Sequence, residues 1–303
     1  MHIAIGPELP EFGSWNWLGL WMTDVLAEEF RVSTFRDIDR PPDADLIVFL
    51  KFKPAATRLI ELRRRSRLAF LPVDVYGSTH EIDADLDSVR SLDLILLHSQ
   101  RLIRYFHGVA KVAYLDHPLK FVLPVVRTQR QDGPLLWVGK KCNLAPVIPW
   151  LTHAGQSEDV WVLTDTDNDV SSARSLGFST ETGIRIGKWS PDRHLEWLQA
   201  AKAAVDIKGT DFRSRHKPPA KALDFLASGV PVITNRGSSV DLHFQRLTFP
   251  VLYSSDWAQR YTAEYQQQLS GFAMQLRRSF SAEKLAADLV RLFSCLTQQA
   301  GRT

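Results

Sequence analysis

The sequence predicts an α/β protein built from two doubly wound parallel sheets, and three observations support this prediction. Short apolar runs alternate with amphipathic segments over most of the chain, which is the pattern of parallel strands covered by helices on both faces. The periodicity lapses in a polar, proline-containing stretch between residues 116 and 133, where a linker is expected. A chain of 303 residues is also long for one core and suits two domains of roughly 130–150 residues each.

Six apolar runs precede the lapse and six follow it, each bounded by polar or turn-forming residues. The predicted strands are His2–Ile5, Arg31–Phe35, Leu46–Phe52, Leu68–Val73, Leu92–Leu97, Lys111–Leu115, Leu135–Val138, Val160–Leu163, Gly183–Ile186, Ala203–Ile207, Pro231–Thr234 and Phe249–Tyr253. Such sheets bind ligands outside the carboxyl ends of their strands, so functional residues are expected at that edge.

Amphipathic periodicity predicts the helices between and after these runs. Those in the first half are Trp17–Phe30, Ala55–Arg65 and Gln100–His107, and two more, Ser255–Arg277 and Ser281–Gln299, close the chain. We therefore expect a first domain over residues 1–120, a linker over 121–133, a second domain over 134–280 and a C-terminal helix over 281–303 that can cross back to the first domain.

Composition narrows the class of protein. Hydrophobic residues make up 45% of the chain and charged residues 23%, and the net charge of +3 is too small to argue for nucleic acid as a partner. Two distant cysteines, with no metal or disulfide spacing, fit a reducing compartment. No signal peptide or spanning segment is predicted, so we expect a cytoplasmic protein, with a position at the inner membrane surface left open.

The stretch from Val205 to Thr234 carries the strongest functional signal. It has the pattern of a strand, a basic loop, a helix, a glycine stop and a second strand. Pro218 and Pro219 suit a first helical turn, where a missing N–H costs nothing, and Gly229 suits the left-handed residue after a helix.

The same helix is predicted to carry a polar stripe. At 100° per residue, Lys217, Lys221, Asp224 and Ser228 fall on one side of the helix. Two lysines and a carboxylate suit a ligand that carries both phosphate and hydroxyl groups. An ordinary solvated helix face is the alternative interpretation.

The run from Asp224 to Ile233 resembles the signature of GT-B-fold glycosyltransferases. It aligns without a gap with the large retaining family whose motif is Glu, seven residues, Glu, then Ala-Met-Ala-Cys-Gly-x-Pro-Val-Ile. The resemblance implies two Rossmann-like domains facing a central cleft. It also implies that Asp224 holds the nucleotide ribose hydroxyls and that Lys217 lies beside the phosphates. His216 stands where the family has its first glutamate, which contacts the donor sugar.

A second part of the resemblance is the stretch from Pro134 to Lys141, which is similar to the Phe-Val-Gly-Arg strand and turn that opens the donor domain. Lys140 takes the place of the arginine that reaches the donor diphosphate, and Lys221 completes the expected set of phosphate ligands. A surface turn is the alternative interpretation for Lys140 and Lys141.

In the first domain we single out Gly13 and Asp74. The glycine at a predicted helix entrance leaves backbone N–H groups free for an anion or a sugar hydroxyl. Asp74 follows a predicted strand and is the candidate cleft carboxylate, which an inverting transfer would need as a base. With retention, the leaving phosphate itself can take the acceptor proton.

An Asp-x-Asp sequence and a run of arginines each have a simpler structural interpretation. Asp165 and Asp167 mimic the Asp-x-Asp metal motif, but they follow a predicted strand and suit a helix-capping loop, so no metal site is expected. The arginines from Arg58 to Arg67 fit a solvated basic face better than a lipid-binding one, so weak peripheral membrane association is left open.

The sequence therefore predicts a glycosyltransferase that moves a sugar from a nucleotide-diphosphate sugar to an acceptor hydroxyl. The resemblance implies retention. Independence of metal is expected because there is no credible Asp-x-Asp site and lysines are placed for the diphosphate, and no cofactor is expected beyond the donor substrate. The acceptor is a glycan, a lipid-linked molecule or a small molecule. Two alternatives remain: a nucleotide-sugar epimerase, and a non-catalytic subunit that binds a nucleotide sugar or glycan.

Overall fold

A computed structural model describes residues 1–127, 130–166, 173–179 and 183–298. The chain divides into two compact units. The first contains Met1–Pro118, Asp211–Pro218 and the chain from Phe280; the second contains Leu119–Thr210 and Pro219–Ser279. The short segment Asp211–Pro218 thus belongs to the first unit, although the chain on both sides of it belongs to the second.

Each unit is built on a six-stranded parallel sheet, which confirms the predicted fold class. The first sheet has the order β2-β1-β3-β4-β5-β6 and the second has the order β12-β11-β10-β7-β8-β9. The strands are β1 His2–Gly6, β2 Arg31–Thr34, β3 Leu46–Leu50, β4 Arg67–Leu71, β5 Leu94–Leu97, β6 Val112–Tyr114, β7 Leu135–Val138, β8 Val160–Thr164, β9 Ile184–Lys188, β10 Ala203–Val205, β11 Val232–Thr234 and β12 Leu252–Tyr253.

The helices cross between these strands. They are α1 Leu20–Ala27, α2 Ala56–Arg63, α3 Thr79–Ala84, α4 Leu86–Arg90, α5 Gln100–Phe106, α6 Ile148–Ala154, α7 Pro191–Ala200, α8 Phe212–Arg215, α9 Ala220–Ala227, α10 Ser239–Arg246, α11 Trp257–Arg260, α12 Ala263–Ser279 and α13 Ala282–Gln298. A π-helical turn, Trp15–Gly19, leads into α1. Among the described residues, no helix combines the length and apolarity that crossing a bilayer requires.

The first sheet is covered on both faces, as its nearly continuous apolar strands require. On one face, Leu289, Phe293 and Leu296 of α13 join the core beneath β1 and β3. The other face packs against α2 to α5. The C-terminal helix therefore completes the core of the first unit.

Several expected boundaries differ from the observed ones. The predicted helix Ser255–Arg277 is interrupted after α11, because Tyr261 leaves the helical conformation. The helix expected to include Pro218 and Pro219 begins only at Ala220, with Pro219 as its N-terminal cap. Lys217 therefore precedes the helix and lies outside its polar stripe.

The segment expected to begin the linker is part of the second unit, whose division from the first falls after Pro118. Side chains of that unit hold its backbone: the Arg277 guanidinium donates to the carbonyl oxygens of Leu123 and Pro124 at 2.5 and 3.1 Å. Gly229 has a φ of +77°, and a Cβ there would lie 2.7 Å from the Arg127 carbonyl oxygen. Glycine is thus required at this helix end both by conformation and by the close approach of the segment.

Candidate functional site

The sequence-predicted site residues are distributed over both units. In the first unit lie Gly13, Asp74, His216 and Lys217, and in the second lie Lys140, Lys221 and Asp224. The eight-residue spacing from His216 to Asp224 therefore spans a change of unit.

In the second unit, Lys221 reaches the carboxyl end of β7. Its ammonium donates to the Val138 carbonyl oxygen at 2.6 Å and lies 5.4 Å from the centre of the Trp137 ring. A Cβ on Gly139 would be 2.8 Å from that ring and 3.1 Å from the Lys221 Nζ, so the turn needs glycine at this position. Lys140 follows directly and is exposed. The structure thus places Lys221 at the end of β7, beside the turn that contains Lys140, whereas Lys217, the other lysine expected at the diphosphate, belongs to the first unit.

Asp206 and Lys208, to which the sequence assigned no role, extend this group. They follow β10, which pairs with β7 in parallel register, so both lie at the same edge of the sheet. Asp206 is buried, and its Oδ1 accepts from Lys208 Nζ at 2.8 Å and lies 3.9 Å from Lys221 Nζ. The Asn235 side chain also clamps the Lys208 backbone, accepting from its N–H at 2.9 Å and donating to its carbonyl oxygen at 3.0 Å. We call Lys140, Lys208 and Lys221, with Asp206, the lysine edge.

Asp224 corrects the expectation of an open polar stripe on α9. Its side chain is completely buried, and its two oxygens accept the backbone N–H groups of Lys120 and Phe121 at 2.9 and 3.1 Å. Ser228, one turn later, is equally buried and accepts from the Leu123 N–H at 3.0 Å. The polar side of the helix therefore faces the segment from 120 to 123, and Asp224 is not placed to hold a ribose in this structure.

The physical reason is that an irregular segment buried against a helix leaves its N–H groups without partners. Each such group would cost about 1–3 kcal/mol if left unpaired, so acceptors on the helix are strongly favoured. Burial raises the pKa of the Asp224 carboxyl to about 7, while the two backbone N–H groups and the Lys120 charge act in the opposite direction. Sequence periodicity reports which residues share a helix side, but not whether solvent or backbone covers that side.

Next to Asp224 lies an aromatic group. The Phe121 ring is 5.6 Å from Trp189, edge to face, and 5.1 Å from the buried ring of His194. Burial, and then the charge of Lys221, lower the pKa of His194 to about 4, so its imidazole is neutral. Trp189 is 38% exposed and follows the carboxyl end of β9. Its exposed indole suits stacking on a planar ligand group.

In the first unit, His216 is buried between aromatic rings. Its ring centroid lies 4.0 Å from that of Phe212 and 5.6 Å from that of Tyr105. The Nδ1 atom is 2.6 Å from the Phe212 carbonyl oxygen and so carries the proton that it donates. Lys217 follows α8, and its backbone N–H donates to the Ser214 carbonyl oxygen at 3.4 Å.

The other two first-unit candidates differ in their backbone. Asp74 has a φ of +53°, an uncommon conformation for a residue other than glycine, and Lys51 at the end of the adjacent strand has a φ of +68°. Such strain collects at functional edges, although it does not assign a reaction. Gly13 is exposed, and a Cβ there would meet no atom within 4 Å, so the local fold does not require glycine.

Asp165 acts as a backbone acceptor in the turn that contains Lys140. Its Oδ1 accepts from the Lys141 N–H at 2.5 Å and fixes the turn that follows β7. Asp167 lies outside the described residues. Within the residues described, no cluster of three histidine, cysteine, aspartate or glutamate side chains could hold a metal ion.

The basic stretch from Arg58 to Arg67, which runs from α2 to the start of β4, has much of its charge in pairs. Arg58 contacts Glu61, Arg65 contacts Asp43, and Arg63 and Arg67 both contact Asp93. These pairs reduce the net charge that this stretch can present to an anionic surface.

Solved structures of glycosyltransferases are similar to this chain. A glycosyltransferase involved in avilamycin A biosynthesis has a TM-score of 0.65 at 10% identity, with 98% of each chain covered. The UDP-forming α,α-trehalose-phosphate synthase from Burkholderia vietnamiensis has a TM-score of 0.57 at 13% identity, covering 90% of this chain and 76% of that one. A trehalose-6-phosphate synthase studied for glycosyl transfer with retention has a TM-score of 0.57 at 10% identity, covering 85% and 74%.

These similarities show that the chain has the GT-B fold. No protein-family model matches the sequence, and no curated protein matches it significantly.

Proposed function

We propose that this protein transfers a sugar from a nucleoside-diphosphate sugar to an acceptor hydroxyl. The observation that carries the proposal is the lysine edge, where Lys140, Lys208 and Lys221 lie around the ends of two adjacent parallel strands. Doubly wound sheets bind nucleotides at this edge, and ammonium groups there suit a diphosphate. The fold alone does not assign an activity, because one fold hosts many activities, so the function is inferred from the residues of the site.

The lysine edge would act on the leaving group. As the bond between the sugar and the diphosphate breaks, negative charge grows on the diphosphate oxygens. Fixed ammonium groups stabilise that charge, and buried Asp206 orients two of them. The lysines supply the charge that a metal ion supplies in other transferases. Independence of metal is therefore part of the proposal, supported by the use of Asp165 as a backbone acceptor.

Retention at the sugar carbon is the second part of the proposal. It is supported by the trehalose-6-phosphate synthase whose structure was studied for transfer with retention. In a retaining transfer the leaving phosphate can take the acceptor proton, and no enzymatic base is needed. In an inverting one a base is required, and Asp74, at the carboxyl end of β4, is the carboxylate we assign to it.

The first prediction tests the phosphate assignment by calorimetry with UDP and GDP. Lys140→Ala and Lys221→Ala should each weaken binding of the preferred nucleotide by at least about tenfold, since each removes a charge-assisted contact worth roughly 1.5–3 kcal/mol. Lys111→Ala is the matched control, because Lys111 is exposed before β6 in the first unit. Activity on the matching nucleotide sugar should persist in excess EDTA. Equal affinities in all three variants would remove the lysine edge from nucleotide binding.

A non-catalytic binding subunit is the second candidate, because His216 replaces the glutamate that the resemblance places at the donor sugar. Acceptor-dependent release of nucleoside diphosphate distinguishes the two functions. A protein that binds the nucleotide sugar with unchanged lysine dependence, but never releases the diphosphate, is a binding subunit. Conversion of the nucleotide sugar without any acceptor would instead indicate an epimerase.

A further inference from the structure

Two basic elements of the first unit pack against each other. On α5, Arg101, Arg104 and Tyr105 share one face because they are three and four residues apart. The Tyr105 ring contacts the His216 ring, which follows α8. Burial lowers the pKa of His216, and the charges that lower it further are those of Arg101, Arg104 and Arg215. Like charges that lie near one another repel, and an anion bound between them would relieve that repulsion.

The same region contains buried imidazole nitrogens without hydrogen-bond partners. His98 follows the carboxyl end of β5 and is 1% exposed, and neither of its ring nitrogens has a partner among the described residues. The Nε2 atom of His216 is also buried and unpartnered. Since Nδ1 of His216 donates to a backbone carbonyl oxygen, its Nε2 is free to accept in the neutral ring. Buried polar atoms are normally paired, so these three nitrogens need an explanation.

These two histidines and three cations, Lys51, Arg104 and Arg215, belong to one electrostatic group. The charges of Lys51 and His216 both act on His98, whose pKa burial lowers to about 3. Lys51 follows β3 with a left-handed backbone, and its ammonium lies 4.8 Å from the centre of the Phe12 ring. Arg215 is exposed and forms no ion pair within the described part of the chain. We call Lys51, His98, Arg104, Arg215 and His216 the basic edge.

The ligand that completes this group must be an anion rich in oxygen acceptors. Arginine guanidinium groups bind phosphate through two parallel hydrogen bonds, and a neutral imidazole can both donate to phosphate oxygens and accept from a phosphate hydroxyl. A neutral sugar hydroxyl would satisfy one imidazole but leave the arginine charges uncompensated. The chemistry therefore favours a phosphate monoester over an uncharged sugar.

We propose that the basic edge binds a phosphate monoester group carried by the acceptor, so that the acceptor is a phosphorylated sugar or alcohol. This inference rests on the proposed glycosyl transfer and specifies its acceptor. The donor diphosphate has separate cations in the lysine edge of the second unit. A phosphate site in the first unit is thus a second, independent one.

The test measures binding of inorganic phosphate and glycerol phosphate, with glycerol as the uncharged comparison. Ionic strength is held constant with sodium chloride, because salt screening alone relieves repulsion between arginines. The double variant Arg104→Gln/Arg215→Gln should weaken phosphate binding at least tenfold. The matched control, Arg40→Gln/Arg64→Gln, changes two exposed arginines of the same unit and should bind as the parent does.

His98→Leu provides a readout that a purely structural histidine would not give. Removing two unpaired buried nitrogens should raise the melting temperature of the free protein, while phosphate affinity falls. A higher melting temperature with unchanged phosphate affinity would overturn the proposal, as would equal affinities in the two double variants.

The Lys221→Ala variant separates the two sources of phosphate. Phosphate should bind this variant normally while nucleoside diphosphate binding fails. If instead phosphate binding is lost in Lys221→Ala, or UDP displaces phosphate completely, the only phosphate site is that of the donor and the basic edge is not a site. Phosphate binding at the basic edge without any nucleotide binding would leave the site standing and refute the glycosyl transfer.

Discussion

The carboxyl edges of the two sheets differ in how their polar groups are partnered. In the second unit, buried Asp206 holds Lys208 at 2.8 Å, and the Lys221 ammonium donates to a backbone oxygen. In the first unit, the Lys51 ammonium also donates to a backbone oxygen, but the charges acting on His216 are all positive, and neither ring nitrogen of His98 has a hydrogen-bond partner among the described residues. The second edge pairs its cations with its own carboxylate, whereas the first contains buried imidazole nitrogens without a partner.

A charge motif can therefore have a structural or a binding role, depending on its local partners. Asp224 carries the strongest sequence resemblance in the chain, yet both its oxygens hold backbone N–H groups. Arg215 has no part in that sequence resemblance and is exposed. Substitutions that remove internal partners should therefore destabilise the second unit more than comparable changes of exposed charge.

The largest expected effect is that of Asp206→Asn. Removing the carboxylate leaves the partly buried ammonium groups of Lys208 and Lys221 without their acidic partner, and breaking a buried pair on one side costs about 3–5 kcal/mol. Urea unfolding of the second unit should show this loss. The control Asp132→Asn breaks an exposed pair with Arg130 and should cost less than about 1 kcal/mol. Equal costs would show that Asp206 does not organise the lysine edge.

Asp224→Asn should cost about 2–3 kcal/mol, because the amide can accept only one of the two N–H groups and opposes the other with its own donor. Hydrogen exchange gives the local readout: the amides of Lys120 and Phe121 should lose protection, while those of β8 follow only global stability. Unchanged exchange together with a specific loss of nucleotide affinity would restore the ribose role that the resemblance implies.

Much of the fold could be predicted from the sequence because parallel strands are short, apolar and regularly spaced. The predicted strand Leu135–Val138 coincides with β7, and the predicted strand Lys111–Leu115 contains β6. The interrupted helix near Tyr261 was missed because the amphipathic pattern continues across the break. A break of this kind depends on tertiary contacts, here the Tyr261 hydroxyl donating to the Lys202 carbonyl oxygen at 3.0 Å.

The candidate site was only partly predictable. Lys140 and Lys221 lie at one edge because the positions of β7 and α9 follow from the fold. The buried role of Asp224 could not be predicted, since its partners lie more than a hundred residues earlier in the chain. Asp206 and Lys208 lie in the Val-Asp-Ile-Lys sequence at the end of β10. They could have been identified from the sequence, because functional residues are expected where a predicted strand ends.

The next prediction concerns pH. Burial raises the folded-state pKa of Asp224 to about 7, above the ordinary value of 3.8. The folded state therefore binds more protons than the unfolded state between about pH 4 and pH 7, and stability from this group is lost as the pH rises through that window. As the pH rises through this window, the unfolding free energy of the parent should fall relative to that of Asp224→Asn by up to about 1.4 kcal/mol per pH unit. A difference that is constant from pH 4 to pH 7 would contradict the raised pKa.

The smallest effect expected at this helix is that of Ser228→Ala. The Ser228 hydroxyl accepts from the Leu123 N–H at 3.0 Å and donates to the Asp224 carbonyl oxygen at 2.7 Å, with both atoms buried. Only one N–H loses its acceptor, and no charge is involved, so the cost should be about 1–2 kcal/mol.

Exchange of the Leu123 amide should accelerate while the amides held by Asp224 keep their protection. The control Ser157→Ala removes a hydroxyl whose hydrogen bond to the Ala154 carbonyl oxygen is 3.5 Å long, and should be close to neutral. If the Lys120 and Phe121 amides lose protection together with Leu123, the segment is one cooperative unit held by the whole helix. The contrast between the charged and the neutral acceptor would then disappear.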